Sequence, residues 1–170
     1  MVTPFSVLKT DRLTLRQLAS SDDEAIFALR TDEKVNKYLD RVPSKSMNDA
    51  QTFIRMINEG IQNRNLKYWA LTLSGNDELI GTICLFNFAA DNKKAEIGYE
   101  LLPDFQGKGI MQEAVLKIID FGFQSLGLEV IEAHTQAQNQ SSTRLLEKCK
   151  FKVHENGNDN FVIFKLTRTG

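Results

Sequence analysis

AEIGYELLPDFQGKGIMQEAVLKIIDFGF, residues 95–123, decides the fold. Its first part, with Lys94, has the composition and length of a strand ending at Leu102. Its last part repeats apolar residues at helical spacing: Ile110, Met111, Ala114, Val115, Ile118, Ile119 and Phe123, continued by Leu126. Gln112, Glu113, Lys117, Asp120 and Gln124 take the outer face, and Gly127 is a C-terminal stop. The next apolar run, EVIEAHTQA, is a second strand. A strand, a crossover helix and a strand in one sheet run parallel.

Outward from this unit the pattern is antiparallel. KYWALTLS (Lys67–Ser74), LIGTICLFNF (Leu79–Phe88) and KAEIGYELL (Lys94–Leu102) form a meander joined by short turns. Upstream, RLTLRQL (Arg12–Leu18) alternates as a half-buried strand. Ser21 with Glu24 has the pattern of a capping box for a helix reaching about Leu39, with a break near Thr31-Asp32. Ser46 caps a second helix through Ala50, Phe53, Ile54, Ile57 and Ile61. Asn139 caps a short helix, SSTRLLEKC, and FKVHE and FVIFKLT close the chain as a hairpin over Asn156-Gly157-Asn158-Asp159. The expectation is a mixed α+β fold. It has a central, mostly antiparallel twisted sheet of about seven strands, one parallel pair and about four flanking helices, in one domain over residues 1–170.

Composition narrows the function classes. Net charge is -1, from 21 Lys+Arg and 22 Asp+Glu, so no basic excess points to nucleic acid. No apolar run is long enough for a bilayer, and the start, MVTPFSVLKT, lacks the blocks of a signal peptide. Cys84 and Cys149 form no CxxC pair, which fits a reduced, cytoplasmic protein. His134 and His154 lack partners at metal-ligand spacing, so no metal is expected.

Gly107 and Gly109 sit where the strand gives way to the helix. Bare backbone and a helix N-terminus there favour an anion such as phosphate. A Walker loop is absent, and a dinucleotide fold would not place G-x-G after an antiparallel meander.

With these motifs in order, the chain resembles the GNAT superfamily of acyl-CoA N-acyltransferases. Within it, the chain is similar to the Rim-type branch of ribosomal-protein N-terminal acetyltransferases. TDRLTLRQL matches that branch's opening strand. AEIGYELLPDFQGKGIMQEAV matches the acetyl-CoA segment, [Q/R]-x-x-G-x-[G/A], at Gln106 and Gly109, with Met111 where Gly or Ala is usual. NQSSTRLLEKCKF matches the second signature at Asn139, Ser142, Leu145, Leu146, Glu147, Lys148 and Phe151, with Lys150 in place of glycine.

The resemblance implies the acyl-CoA N-acyltransferase fold and direct acetyl transfer from acetyl-CoA to a primary amine. The amine would be a protein N-terminal α-amine or that of a small molecule. It implies coenzyme contacts at Leu101, Leu102, Gln106, Gly107, Lys108, Gly109, Ile110, Met111, Gln112, Asn139 and Arg144. Met111 is expected to pack in the core. The backbone N–H of Leu101 or Leu102 would serve the oxyanion, with Leu102 preferred. Glu96, in an A-E-I context shared with a histone-acetylating branch, is the first choice of base, ahead of Glu100. The family's usual acid, a tyrosine in the second-signature helix, is replaced by Leu146, and Ser142 is the residue the branch suggests. A homodimer follows from family habit, and no metal, nucleic acid or membrane partner is implied. The alternative is a catalytically weak acyl-CoA sensor or interaction module on the same fold.

An α-amine of pKa about 8 is roughly 10% neutral at pH 7, whereas a lysine amine is under about 0.1% neutral. An α-amine therefore needs less help from a base. Specificity is expected from the segment between about Thr31 and Asn65, where Asp32, Glu33, Asp40 and Glu59 would attract a cation, and from the closing hairpin.

Overall fold

Alternating Leu13–Arg16 and the three apolar runs of the meander have one way to bury their larger faces, which is to share a sheet. The structure, a computed structural model, describes residues 4–39, 41–63, 65–156 and 160–169. Its strands are β1 (Leu8–Lys9), β2 (Leu13–Arg16), β3 (Lys67–Leu73), β4 (Leu79–Phe86), β5 (Lys94–Leu101), β6 (Val130–Gln136), β7 (Lys152–Asn156) and β8 (Phe161–Thr167). They form one eight-stranded sheet in the order β1-β2-β3-β4-β5-β6-β8-β7. Every neighbouring pair is antiparallel except β5 and β6.

The helices are α1 (Asp23–Thr31), α2 (Glu33–Asn36), α3 (Met47–Gln62), α4 (Ile110–Gln124) and α5 (Gln140–Lys148). Each sheet face carries its own core. On one, the α4 stripe of Ile110, Met111, Ala114, Val115 and Ile118 packs on Leu13, Trp69, Ile83, Ile97 and Ile131, and α5 adds Leu146. On the other, Ile26 and Leu29 of α1 and Ala50 and Ile54 of α3 cover Tyr68, Ala70 and Leu79. Met111 is buried in the first core, as its place on the apolar stripe requires. Among the described residues, no helix is long and apolar enough to cross a membrane.

The expected elements form, with two adjustments. The two-residue β1 adds an eighth strand, because the turn at Thr10 folds the N-terminal segment back on β2. The first predicted helix divides at the expected break, at Asp32, whose carboxylate accepts the Val35 N–H at 2.9 Å and caps α2. The Ser21–Glu24 capping box does not form. Residues Ser20–Asp22 make a 3-10 turn instead, and the Asp22 carboxylate accepts the Ala19 N–H at 2.8 Å while pairing twice with Arg16 at 2.8 Å. Most of the predicted hairpin turn, residues 157–159, lies outside the described residues, as does Asp40.

One feature of the sheet positions the site. β5 and β6 are in register only from Lys94–Glu96 against Val130–Glu132. Beyond Glu96 they part, and Ile97–Leu101 pairs with β4 alone.

Candidate active site

The wedge between β5 and β6 opens into a cavity of about 200 Å³. Ile97, Gly98 and Tyr99 form one wall, Ala133, His134, Thr135 and Gln136 the other, and Asn139, Ser142 and Leu146 of the α5 segment close it. Tyr38, Leu39 and Phe161 line its mouth. Ala133 and Leu146 belong to the core under α4, whereas His134 alternates onto the opposite face of the sheet. The cavity therefore draws its lining from both faces.

The backbone along this wedge is directional. The Leu102 N–H donates to the Ile80 carbonyl at 2.9 Å, so it faces β4. This corrects the choice of Leu102 as oxyanion donor: its hydrogen is already used in the sheet. By antiparallel alternation the N–H groups of Tyr99 and Leu101, beyond the last β5–β6 pair, point the other way, toward the wedge. The Gln106 side chain spans the strand end, donating to the Leu101 carbonyl at 2.8 Å.

The glycine loop follows directly. Gly107 and Gly109 have φ of 75° and 77°, the left-handed region that disfavours any side chain. The first intrahelical bond of α4 is Glu113 N–H to the Gly109 carbonyl at 3.1 Å. The N–H groups of Ile110, Met111 and Gln112 precede it and have no helical carbonyl to meet. Ile110 and Met111 turn their side chains into the core, so only their backbone is offered at the helix start. Lys108 and Arg144 are exposed; Lys108 lies over the Phe105 ring at 5.9 Å, and Arg144 donates to the Gln140 side chain at 3.1 Å.

A brace that sequence reading missed holds this loop. Glu113 accepts the Thr10 hydroxyl, the Arg12 N–H at 2.9 Å and the Arg12 Nε at 2.9 Å. The Arg12 guanidinium also donates to the Lys108 carbonyl at 3.0 Å. Partial burial works to raise the Glu113 pKa, but these donors outweigh it and hold the carboxyl below its ordinary value.

At the cavity, Asn139 caps α5 by accepting the Ser142 N–H at 3.2 Å. The Ser142 hydroxyl meets the Tyr99 hydroxyl at 2.6 Å. Burial pushes the Tyr99 phenol up to about 12, so it stays protonated at neutral pH. Leu146 is fully buried below this pair. Sequence analysis assigns Tyr99 no catalytic role. Its contact with Ser142 spans 43 positions, and no local motif announces it.

The two carboxylates of β5 are not equivalent. Glu100 is nearly buried and pairs with Arg41 at 2.8 Å, so it is neutralised by a structural partner. Glu96 accepts the Asn87 amide at 3.1 Å and lies 3.7 Å from His134 Nε2, but it is not part of the cavity wall. His134 is.

Residues 12–152 match the family model described as an acetyltransferase (GNAT) domain. The N-acetyltransferase YoaA of Bacillus subtilis is 36% identical over 148 residues, covering 87% of this chain and 84% of YoaA. The N-acetyltransferase p20 of Bacillus licheniformis is 38% identical over 149 residues, covering 87% and 83%. Among solved structures, the ribosomal L7/L12 α-N-protein acetyltransferase RimL in complex with coenzyme A superposes with a TM-score of 0.82 at 19% identity, covering 95% of this chain and 98% of that one. At that identity the likeness is one of fold.

Proposed function

The chain belongs to the GNAT acetyltransferase family, which makes it an acetyl-CoA-dependent N-acetyltransferase, and we propose that it binds the coenzyme in the β5–β6 wedge and acetylates a primary amine there. The acceptor is a protein N-terminal α-amine or the amine of a small molecule. The observation that carries this reading is the union of three features at one end of β5: a parted strand pair, two left-handed glycines and a helix start with free N–H groups.

Each residue then has a role. The Gln106 N–H is taken by the Pro103 carbonyl at 3.1 Å, so the backbone N–H groups from Gly107 to Gln112 cradle the pyrophosphate, with Lys108 and Arg144 as peripheral cations. The pantetheine arm lies along Leu101 and past Asn139, adding to the open edge of β5 as a strand would. The thioester carbon is attacked by the neutral amine, a C–N bond forms and the C–S bond breaks. N–H groups of Tyr99 and Leu101, which point into the wedge, stabilise the oxyanion. The departing sulfur accepts a hydrogen bond from the Tyr99–Ser142 pair, which takes the place of the family's helix tyrosine. The unpaired thiols of Cys84 and Cys149 fit a reducing, cytoplasmic compartment.

The test is thermal unfolding with and without acetyl-CoA, in the wild type and in Gly109→Glu. Coenzyme at 100 times its dissociation constant should stabilise by about 2.7 kcal/mol, a rise of several degrees. The variant strains a φ of 77° and sets a carboxylate against the anion, so its shift should vanish. A wild type that does not respond to millimolar coenzyme would sink the proposal.

A further inference from the structure

Three carboxylate and imidazole groups meet on the face of the sheet opposite α4. His134 of β6 lies with Nε2 3.1 Å from Glu132 Oε2 and 3.7 Å from Glu96 Oε1. The strand register sets Glu96 beside Glu132, and β8 sets Lys165 beside Glu132. Lys94 and Lys165 reach Glu132 at 3.4 and 3.6 Å, and Asn87 holds Glu96. Their donors keep the Glu132 carboxyl below its ordinary value, against a partial burial that works to raise it. An ionised carboxylate can only accept, so Nε2 carries the proton in neutral His134. The unprotonated nitrogen is then Nδ1. Of these groups, only His134 lines the cavity.

We infer that His134 is the general base of this enzyme, acting through Nδ1, with Glu132 and Glu96 as positioning residues behind it. The inference rests on acetyl transfer in the β5–β6 wedge. The acceptor enters from the His134 face as an ammonium ion. One proton passes to Nδ1 and onward to water, and Glu132 and Glu96 stabilise the imidazolium. The freed amine attacks the thioester. Of the two hydrogens then left on nitrogen, one stays in the amide and the other ends on the thiol, by way of water. Glu96 thus contributes to base catalysis from one position further back than a direct base.

The first readout needs no acceptor. Ring ¹⁵N shifts of His134 at pH 8, assigned with His154→Gln, should show the Nε2–H tautomer, and Glu132→Gln should erode that preference. An Nδ1–H tautomer would overturn the assignment. The second uses a peptide with a free N-terminal serine, and spermidine, with acetyl-CoA. Wild-type kcat/KM should be bell-shaped, with an acidic limb that reports the base and a basic limb set by the amine. His134→Gln should lose the acidic limb and fall about 10²-fold or more at pH 7.5, while keeping the acetyl-CoA thermal shift. An unchanged profile in His134→Gln refutes the base, whereas loss of the coenzyme shift in the wild type refutes the wedge itself. Where neither probe is acetylated, the tautomer decides.

Discussion

At the scale of single residues, Lys150 shows how a departure from a family pattern is absorbed. It follows α5 in the left-handed region, φ 74°, where the second signature carries glycine. Its N–H still closes on the Glu147 carbonyl at 3.0 Å, and Phe151 closes on Leu146, so the helix terminates as it would with glycine. The side chain costs about 1 kcal/mol there. Lys150→Gly should therefore raise the melting temperature by roughly 2–4 °C, partly offset by the freer unfolded chain. Tyr99 answers a different question. Tyr99→Phe removes the hydroxyl and leaves the ring, so folding should change by only about 1 kcal/mol. Turnover should drop by about 10-fold or more with little change in acetyl-CoA affinity, measured by thiol release and by titration calorimetry. Equal turnover would confine Tyr99 to packing.

Among elements, the start of α4 depends on the β1–β2 turn. Thr10, Arg12 and Glu113 join segments about a hundred positions apart and hold the loop carbonyl of Lys108. Arg12 is half exposed, so solvent screening reduces the ion pair's worth. Glu113→Gln should cost about 1 kcal/mol in a denaturant melt and weaken acetyl-CoA binding about three- to tenfold by calorimetry. The elements themselves were legible in the sequence. The apolar stripe of Ile110–Ile118, the caps at Ser46 and Asn139 and the parallel β5–β6 pair all follow from short-range patterns. The brace was not: Glu113 reads as an outer-face helix residue until the β1–β2 turn is laid over it. The same holds for His134, whose partners lie on its own strand and the neighbouring one. Leu102 fails for a related reason. The direction in which a strand N–H points is set by its pairing with β4, and the apolar pattern does not encode it.

For the whole molecule, the titrating groups bound the pH range of stability. Glu113 and Glu132 have folded-state values below their unfolded ones, so what they contribute is present above about pH 4.5 and is lost on acidification. Tyr99, raised to about 12, and Cys149, raised to about 11 by burial, act in the opposite sense. They favour the fold fully below their unfolded values near 10 and 9, and that contribution fades as pH rises toward the folded ones. A series of melts should thus show a broad plateau with losses below about pH 4.5 and above about pH 9. Losses confined to one side would show that the opposite set of groups does not control stability.

The cavity lined from both faces of the sheet has a kinetic consequence. In the arrangement proposed above, the coenzyme enters by the helix-start loop and the amine by His134, Tyr38 and Phe161, through separate doors. Neither need leave before the other arrives, and the acetyl group needs no stop on a side chain. Initial-rate lines should intersect rather than run parallel, and free coenzyme A should compete with acetyl-CoA but not with the amine. The parted strands thus let both reactants be present at once.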